Sequence, residues 1–250
     1  MHDGGSSGSR SRSTDQEMKV MVGKDEVRAT VTSSALTVEQ FLKEVRVEGR
    51  RALIVGLDCE FYGDIDKALK TALVQISVGK RCLLFQAAIA CTIPDDLKNF
   101  FELEGHVFVD AAIVNDMNRL RSDYQVELSK TVELQAMAPF VFPGKWRKVE
   151  SLATLGQDLL GVKAEGKGTH LRYENWHRPR LTKDQIKYAT TDAFMSYKIG
   201  YMLHSADGFD LHRSQSPIHA GGAGGGDLLH FVEDEQKLVR QAGTGSGMKL

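Results

Sequence analysis

The sequence predicts an α/β protein in which a mixed β-sheet is flanked by helices on both faces. Three observations support this fold class. Residues 52–61 form an almost continuous apolar run, which is typical of a central strand covered on both faces. Strand-like runs follow at 71–78 and 81–86, joined by a tight turn. From residue 94 onward, apolar residues recur with helical spacing, so strands dominate the first half of the chain and helices the second.

A hairpin and a helix are predicted before the central strand. Two β-like runs, at 18–23 and 27–33, are separated by a short polar turn. Residues 37–45 have helical spacing, and Thr37 with Gln40 forms the pattern of a capping box. The ordered domain is therefore predicted to begin near residue 18.

The elements after the two strands are predicted to be mostly helical. Pro94 suits the first turn of a helix, which is expected to end near Gly105. The remaining elements are predicted as strands at 106–109 and 132–134 and helices at 112–120, 149–160 and 182–203. The chain contains no internal repeat, which favours one domain over a repeat architecture.

The length and composition suit one sizeable domain with two tails. The chain has 250 residues, of which 42% are hydrophobic and 26% charged, as in an ordinary globular protein. Residues 1–17 and 205–250 are rich in glycine and polar residues and are predicted to be disordered. The domain is predicted to span residues 18–204.

The charge balance limits how this protein can meet nucleic acid. The formal net charge is −1, so no global basic field exists and any contact with phosphates has to be a local patch. This disfavours a coating or scaffold role more than an enzymatic one, because an enzyme grips only a few phosphates.

The cysteines and the hydropathy indicate an intracellular protein of the nucleus or the cytoplasm. The three cysteines form no CxxC pair, which disfavours a structural zinc site and predicts buried thiols in a reducing compartment. No apolar run is long enough for a transmembrane helix, and no signal-peptide core is present, so no membrane partner is expected. A homo-oligomer or a protein partner is left open.

Two acids stand in the predicted central strand. Asp58 and Glu60 alternate with Leu57, Cys59 and Phe61 in this segment. Successive side chains of a strand point to opposite faces, so both carboxylates are predicted to lie on one face. Such a pair is costly in an apolar strand unless it lies at an exposed end or a cation neutralises it. The motif alone leaves both explanations open.

Two helical segments carry further polar residues at suggestive spacings. Asp116 lies early in the predicted helix at 112–120, where an acid also suits the positive end of the helix dipole. Tyr188 and Asp192 lie four residues apart in the predicted helix at 182–203 and therefore share one face. A hydrogen-bonded core pair would have the same spacing, so neither segment is decisive alone.

The acids occur in three segments, which read GLDCEF, NDMNRL and YATTDAF in chain order. In this order they resemble the DEDD exonuclease superfamily in its tyrosine branch. The closest likeness is to Werner-type exonuclease domains and their plant relatives, with ribonuclease D further off. The resemblance covers about residues 18–204. It implies a ribonuclease H-like fold, with a mixed five-stranded sheet flanked by helices on both faces.

The branch of that superfamily is indicated by the residue preceding the last acid. The histidine branch has a histidine five residues before that acid, and this chain has Lys187 there. The tyrosine branch has a tyrosine four residues before it, and Tyr188 is present. The resemblance therefore implies the chemistry of the tyrosine branch.

The resemblance implies a 3′–5′ exonuclease that holds two Mg²⁺ or Mn²⁺ ions and releases nucleoside 5′-monophosphates from DNA or RNA. Asp58 would bridge both ions, and Asp116 would serve the second of them. Glu60 and Asp192 would complete the site of the ion that carries the attacking water. Tyr188 would orient that water, because a phenol with a pKa near 10 is a poor base at neutral pH.

Candidate substrate-binding residues follow the first acids and lie in two basic clusters. Aromatic rings directly after the acids could stack on the terminal base, and lysines and arginines could contact phosphates. The same residues would also suit an ordinary core position or a solvated loop. The candidates are Phe61, Tyr62, Lys145, Arg147, Lys167 and Arg172.

Two positions depart from the family pattern and keep alternatives open. Asp110 ends the strand before the second acid, where the family usually has glycine, and Glu174 replaces a serine before Trp176. One alternative is a nucleic-acid-binding or interaction module with this fold but little activity. The other is a ribonuclease D-like RNA-processing enzyme.

Overall fold

The computed structural model describes residues 15–46, 53–63, 69–146, 150–162, 175–206 and 210–213. Residues 1–14 and 214–250, which make up most of the two predicted tails, lie outside the described residues. The first strand begins at Gln16, slightly before the predicted start of the domain at residue 18.

The strands form one mixed sheet, which confirms the predicted fold class. The sheet has seven strands in the order β1-β2-β5-β4-β3-β6-β7. Its last five members in this order are the predicted five-stranded core, and the hairpin β1–β2 extends that core by pairing β2 parallel to β5. The strands are β1 Gln16–Val22, β2 Asp25–Thr32, β3 Ile54–Tyr62, β4 Lys70–Val78, β5 Arg81–Phe85, β6 Val107–Asp110 and β7 Thr131–Glu133.

Helices cover both faces of the sheet. They are α1 Ala35–Arg46, α2 Ala87–Ala90, α3 Asp95–Glu102, α4 Ile113–Tyr124, α5 Leu134–Val141, α6 Leu152–Leu160 and α7 Lys183–His204. Among them, α2 and α5 were not predicted. The first is a single turn, and the second follows β7 directly and contains Pro139, which obscures its helical pattern.

The predicted start of α1 is wrong by two residues. The helix begins at Ala35, and the Thr37 amide donates to Ser34 Oγ at 3.4 Å, so Thr37 lies inside the first turn. The hydroxyl of Thr37 instead donates to Asp15 Oδ2 at 2.7 Å. A tertiary contact with the residue preceding β1 therefore uses the side chain that looked like a cap.

Two hydrophobic clusters fill the two sides of the sheet. One is formed under α1, α3 and α4 and includes Leu57, Cys59 and Phe108. The other is formed under α5, α6 and α7, and the predicted core residue Trp176 is fully buried there. Since β3 contributes to both clusters, its nearly continuous apolar sequence is explained by burial on two faces.

Helix α7 lies directly against the middle of β3. A Cβ atom at Gly56 would come within 2.1 Å of the carbonyl oxygen of Ala193, so only glycine fits at this point of β3. The helix starts with the predicted capping box, in which Thr182 and Gln185 exchange two hydrogen bonds. The close approach fixes the height of α7 over the sheet and so positions Tyr188 and Asp192.

Within the described ranges, no helix has both the length and the apolar character needed to span a membrane.

Candidate active site

The first two acids lie in the second half of β3, beyond its pairing with β6 and still paired with β4. Asp58 and Glu60 alternate with Leu57 and Cys59, whose side chains lie in the cluster on the opposite face. The pairing of β3 with β4 shifts register between Glu60 and Phe61, which is the mark of a bulge. The carboxylates therefore lie together on the face that α7 covers, as the alternation predicted.

Helices α4 and α7 bring the remaining predicted catalytic residues. Asp116 lies in the first turn of α4 and is only 5% exposed. Asp192 is 8% exposed, and Tyr188, one turn before it, packs its ring 6.1 Å from the buried Trp176. Burial is the largest cause that raises the pKa of Tyr188, and Asp192 adds to it. The phenol therefore stays protonated at neutral pH.

A further acid, Asp110, joins this group. Carboxylate oxygens of Asp58, Asp110 and Asp116 all lie within 4.8 Å of one another. Asp110 is 4% exposed, and the hydroxyl of Ser196 donates to its Oδ1 at 2.7 Å. The sequence identifies Asp110 as a charged residue where the family usually has glycine, but it does not predict that Asp110 belongs to the acidic site. Its membership follows from the position of β6 beside β3.

The carboxyl groups of this cluster are poorly hydrated. Loss of water is the largest cause that raises the pKa of Asp58 and Asp116, and neighbouring carboxyls, chiefly Asp110 and Glu60, raise them further. Burial also raises the pKa of Asp110 to about 7, against the opposing hydrogen bond from Ser196. In the absence of a cation, these groups favour the protonated form.

The described partners of Asp58 are neutral amides. The Cys59 amide donates to Oδ1 at 2.9 Å, and Gln75 Nε2 lies 3.5 Å from Oδ2. Several converging carboxylate oxygens with neutral neighbours are the donor set that a hard divalent cation prefers. The cluster therefore suits a divalent metal ion, and Asp58, Asp110 and Asp116 are placed to share one.

Glu133 supports the start of α4 and was not predicted. Ala112 precedes the helix with φ of 105°, a conformation that disfavours side chains larger than glycine. The carboxylate of Glu133 accepts the Ala112 amide at 3.0 Å and thus holds this turn in place. Nothing in the sequence pattern indicated this role, because Glu133 ends β7 and is distant in sequence from the start of α4.

The aromatic candidates for substrate contact lie on different faces. Phe61 packs against the cluster under α4, with the Arg119 guanidinium 6.0 Å from its ring centre. Tyr62 lies on the α7 side and pairs with the ring of His177 at 4.7 Å. Tyr62 with His177, rather than Phe61, therefore forms the aromatic surface on the face that carries the acids.

Only part of the basic candidates can be located. Lys145 lies over the ring of Trp146 at 5.3 Å and donates to the carbonyl of Asp158 at 3.2 Å. Trp146 Nε1 donates to Asp158 Oδ2 at 2.8 Å, so both residues attach to α6. Arg147, Lys167 and Arg172 lie outside the described residues. One predicted property is wrong: Cys91 is exposed, whereas Cys59 and Cys82 are buried.

The fold is that of known exonuclease domains. Escherichia coli RNase D superposes with a TM-score of 0.60 at 16% identity, covering 85% of this chain and 49% of that one. Brucella melitensis NrnC, solved with bound Mg²⁺, superposes with a TM-score of 0.54 at 14% identity, covering 80% of this chain and 90% of that one. At these identities the likeness establishes the ribonuclease H-like fold.

Sequence comparison goes further than the fold. The profile of the family described as 3′–5′ exonuclease matches residues 32–205. An Arabidopsis thaliana 3′–5′ exonuclease is 31% identical over 154 residues, which are 60% of this chain and 52% of that protein. The mouse (Mus musculus) bifunctional 3′–5′ exonuclease/ATP-dependent helicase WRN is 30% identical over 172 residues. That match covers 66% of this chain and 12% of the mouse protein.

The chain belongs to the 3′–5′ exonuclease family, because the family profile covers most of it, residues 32–205 of 250. It spans about half or less of the two curated relatives, 52% of the plant protein and 12% of the mouse protein. Family membership confirms the resemblance that the three acidic segments indicated.

Proposed function

We propose that this protein is a metal-dependent 3′–5′ exonuclease that hydrolyses phosphodiester bonds at nucleic-acid 3′ ends and releases nucleoside 5′-monophosphates. The observation that carries the proposal is the convergence of acids from β3, β6 and α4 on one end of the sheet, beneath the helix that bears Tyr188 and Asp192. Family membership supports the same reaction.

The proposed metal ligands are Asp58, Glu60, Asp116 and Asp192, and the proposed ions are two Mg²⁺ or Mn²⁺. When bound, such ions stabilise the attacking and leaving oxygens of an in-line displacement. A bound Mg²⁺ in the Brucella melitensis relative of the same fold supports this choice. By the family resemblance, Asp58 would serve both ions. Its carboxylate lies near those of Asp110 and Asp116, and Glu60 follows two residues later in β3.

Tyr188 is proposed to orient the attacking water by hydrogen bonding. Burial raises the pKa of its phenol, so the group stays protonated and acts as a donor instead of a general base. Trp176 packs against its ring and limits its rotation. Asp192, one turn further along α7, lies on the same helix face, so the phenol and the carboxylate are neighbours on one side of the helix.

Substrate grip is proposed to come from an aromatic surface and from basic loops. Tyr62 and His177 would stack on the terminal base, which is sequence-tolerant binding suited to an exonuclease. Lys145 would contact a phosphate further from the end, with Arg147, Lys167 and Arg172 as further proposed contacts. Residues 18–204 are proposed as the catalytic domain, which the family match to residues 32–205 supports. Free Cys59, Cys82 and Cys91 support a reducing nuclear or cytoplasmic location.

One assay tests the proposal. The purified chain is incubated with 3′-recessed DNA, single-stranded DNA and single-stranded RNA, each labelled at the 5′ end, with Mg²⁺, Mn²⁺ or EDTA. Stepwise shortening with metal and none with EDTA is expected, with nucleoside 5′-monophosphates as products. Shortening of RNA alone would favour the RNA-processing alternative. A gel shift with no shortening would overturn the enzymatic proposal and favour a binding module.

A further inference from the structure

Asp110 is the acid of the cluster that the proposed mechanism does not use. It ends β6, the strand that runs parallel to β3, and its carboxylate oxygens lie within 4.8 Å of those of Asp58 and Asp116. These two acids are the proposed ligands of the second ion. The side chain of Asp110 therefore borders the volume in which that ion would lie.

The carboxylate of Asp110 is held in one orientation. Ser196 donates to its Oδ1 at 2.7 Å in a fully buried hydrogen bond. Ser196 lies four residues after Asp192, so the two polar side chains line the same face of α7. The backbone amide of Ala111 also donates to this carboxylate. An ionised carboxylate has about four lone-pair sites, so two neutral donors orient it and leave capacity for a cation.

Burial of Asp110 is costly without a positive charge. It is 4% exposed, and its described side-chain partner is a neutral hydroxyl. Gln75 is fully buried against Asp58, and its Oε1 atom has no hydrogen-bond partner in the part of the chain that the structure describes. A buried acceptor of this kind beside a carboxylate cluster is expected where an ion or its bound water completes the contacts.

We propose that Asp110 is a third carboxylate ligand, together with Asp58 and Asp116, of the ion on the β6 side of the site, and that Ser196 orients it. The inference deepens the proposed function, on which it rests for the identity of the site. Its consequence is that this ion binds with three carboxylates of the protein and does not need a substrate phosphate to be retained.

Manganese titration of the full chain in the absence of nucleic acid tests this inference. The wild-type protein should bind two Mn²⁺ ions by calorimetry, and Asp110→Asn should weaken one of the two sites at least about tenfold, the loss expected when a group that tunes a metal is removed. The matched control is Asp184→Asn, an exposed acid in the first turn of α7, which should leave both sites unchanged. Equal Mn²⁺ binding by Asp110→Asn and wild type would overturn the inference.

Thermal stability separates a ligand from a structural residue. In EDTA at pH 8, Asp110→Asn should raise Tm, because it removes an acid that lies against the carboxyls of Asp58 and Asp116 and keeps an acceptor for Ser196. The Tm increase on adding Mn²⁺ should be smaller than in wild type. A purely structural role requires the reverse, a lower Tm in EDTA with the full increase on Mn²⁺, and this result would refute the inference. Ser196→Ala retains the acid and should weaken Mn²⁺ binding less than Asp110→Asn does; an equal or larger loss would assign the effect to the hydrogen bond instead.

The outcomes distinguish this inference from the proposed function. Nuclease activity with unaltered Mn²⁺ binding in Asp110→Asn would reject only the third ligand. Mn²⁺ binding that depends on Asp110 in a chain that shortens no nucleic acid would reject the exonuclease and keep the ligand. A wild-type chain that binds no Mn²⁺ would reject both.

Discussion

The two ends of the contact between β3 and α7 differ in the burial of their charged side chains: one end has buried acids and the other has exposed charges of both signs. Beside the second half of β3, Asp58, Asp110 and Asp116 come together, and the described donors to Asp58 and Asp110 are neutral. Where β3 begins, a cleft of about 650 Å³ is lined by exposed charges of both signs, in which Lys19 pairs with Glu26 at 2.9 Å. The first arrangement raises the pKa of the acids, whereas the second leaves charges in water.

The comparison shows that the buried carboxyls, unlike the exposed ion pairs, cannot be explained by a contribution to stability. Exposed ion pairs such as Lys19–Glu26 contribute about 0–1 kcal/mol each. Buried carboxyls without a cation oppose folding, and several in one place are retained only if a ligand or a reaction requires them. The acidic end is therefore the end at which substitutions should change chemistry more than stability.

Removal of a cluster acid should have the largest effect. Asp58→Ala and Asp192→Ala should each lower the nucleotide release rate by on the order of 10³-fold or more, because the charge that holds the ions is lost. Both variants should fold, and initial rates with Mg²⁺ measure the loss. The control is Glu44→Ala at the cleft end, which should retain the wild-type rate. Activity retained by both Asp variants would remove the two-metal assignment.

The second-largest effect is expected from a side chain added at Gly56, where β3 and α7 lie in close contact. Gly56→Ala should lower the free energy of unfolding by about 3 kcal/mol or more, because its Cβ would meet the Ala193 backbone at 2.1 Å. Gly156→Ala is the matched control, because its Cβ would meet only the flexible side chain of Met195 at 2.6 Å. Urea denaturation of both variants compares them, and equal stability would contradict the tight contact.

Loss of the phenol should slow the reaction without emptying the site. Tyr188→Phe should lower the rate by about 10²-fold, the size of effect expected when an attacking group is misplaced. Mn²⁺ affinity and Tm should stay close to wild type, because the ring still packs on Trp176. An unchanged rate would exclude an orienting role, and a loss of Mn²⁺ binding would indicate that the phenol helps to hold metal.

The smallest expected effect is a pH dependence of stability caused by His106, which lies near the start of β3. Burial, with Arg46 and His212, lowers the pKa of His106 to about 4, and neither ring nitrogen has a hydrogen-bond partner among the described residues. His106 therefore resists protonation in the folded protein, and its contribution to stability should fall as pH drops from about 6.5 toward 4. This contribution should be lower at pH 5 than at pH 8 by roughly 2 kcal/mol.

The variant His106→Phe isolates that contribution. The ring packs 4.8 Å from Phe100, so an apolar ring fits the same environment. Unfolding in EDTA at pH 8 and pH 5 should show that the free energy of unfolding of wild type relative to the variant is lower at pH 5 than at pH 8. An equal pH dependence in both proteins would show that His106 does not contribute to it.

The order and type of most elements were predictable, because they depend on local periodicity. Residues 52–61, with their two-sided apolar pattern, did become the central strand, and the helix at 182–203 has the predicted capping box. Where local signals were weak, prediction failed. Thr37 was predicted to cap α1, but its hydroxyl donates to Asp15 instead. Helix α5 was not predicted, because Pro139 interrupts its helical sequence pattern.

The spacing of residues along one element also indicated much of the candidate site. Alternation along β3 puts Asp58 and Glu60 on one face, and the helical repeat puts Tyr188 and Asp192 on another shared face. Contacts between elements had no such signal. The placement of Asp110 beside Asp58 depends on β6 lying next to β3. The hydrogen bond that the Ala112 amide donates to Glu133 depends on β7 lying next to β6.

Sequence alone determined the fold class and the central strand and indicated the exonuclease family, because these depend on residue patterns within short segments. The catalytic acids and the tyrosine branch are predictions from the same kind of local spacing. The tertiary structure decided that the hairpin extends the sheet to seven strands and that Asp110 belongs to the acidic cluster. Both depend on which strands become neighbours, and strand order is set by long-range packing that no local spacing encodes.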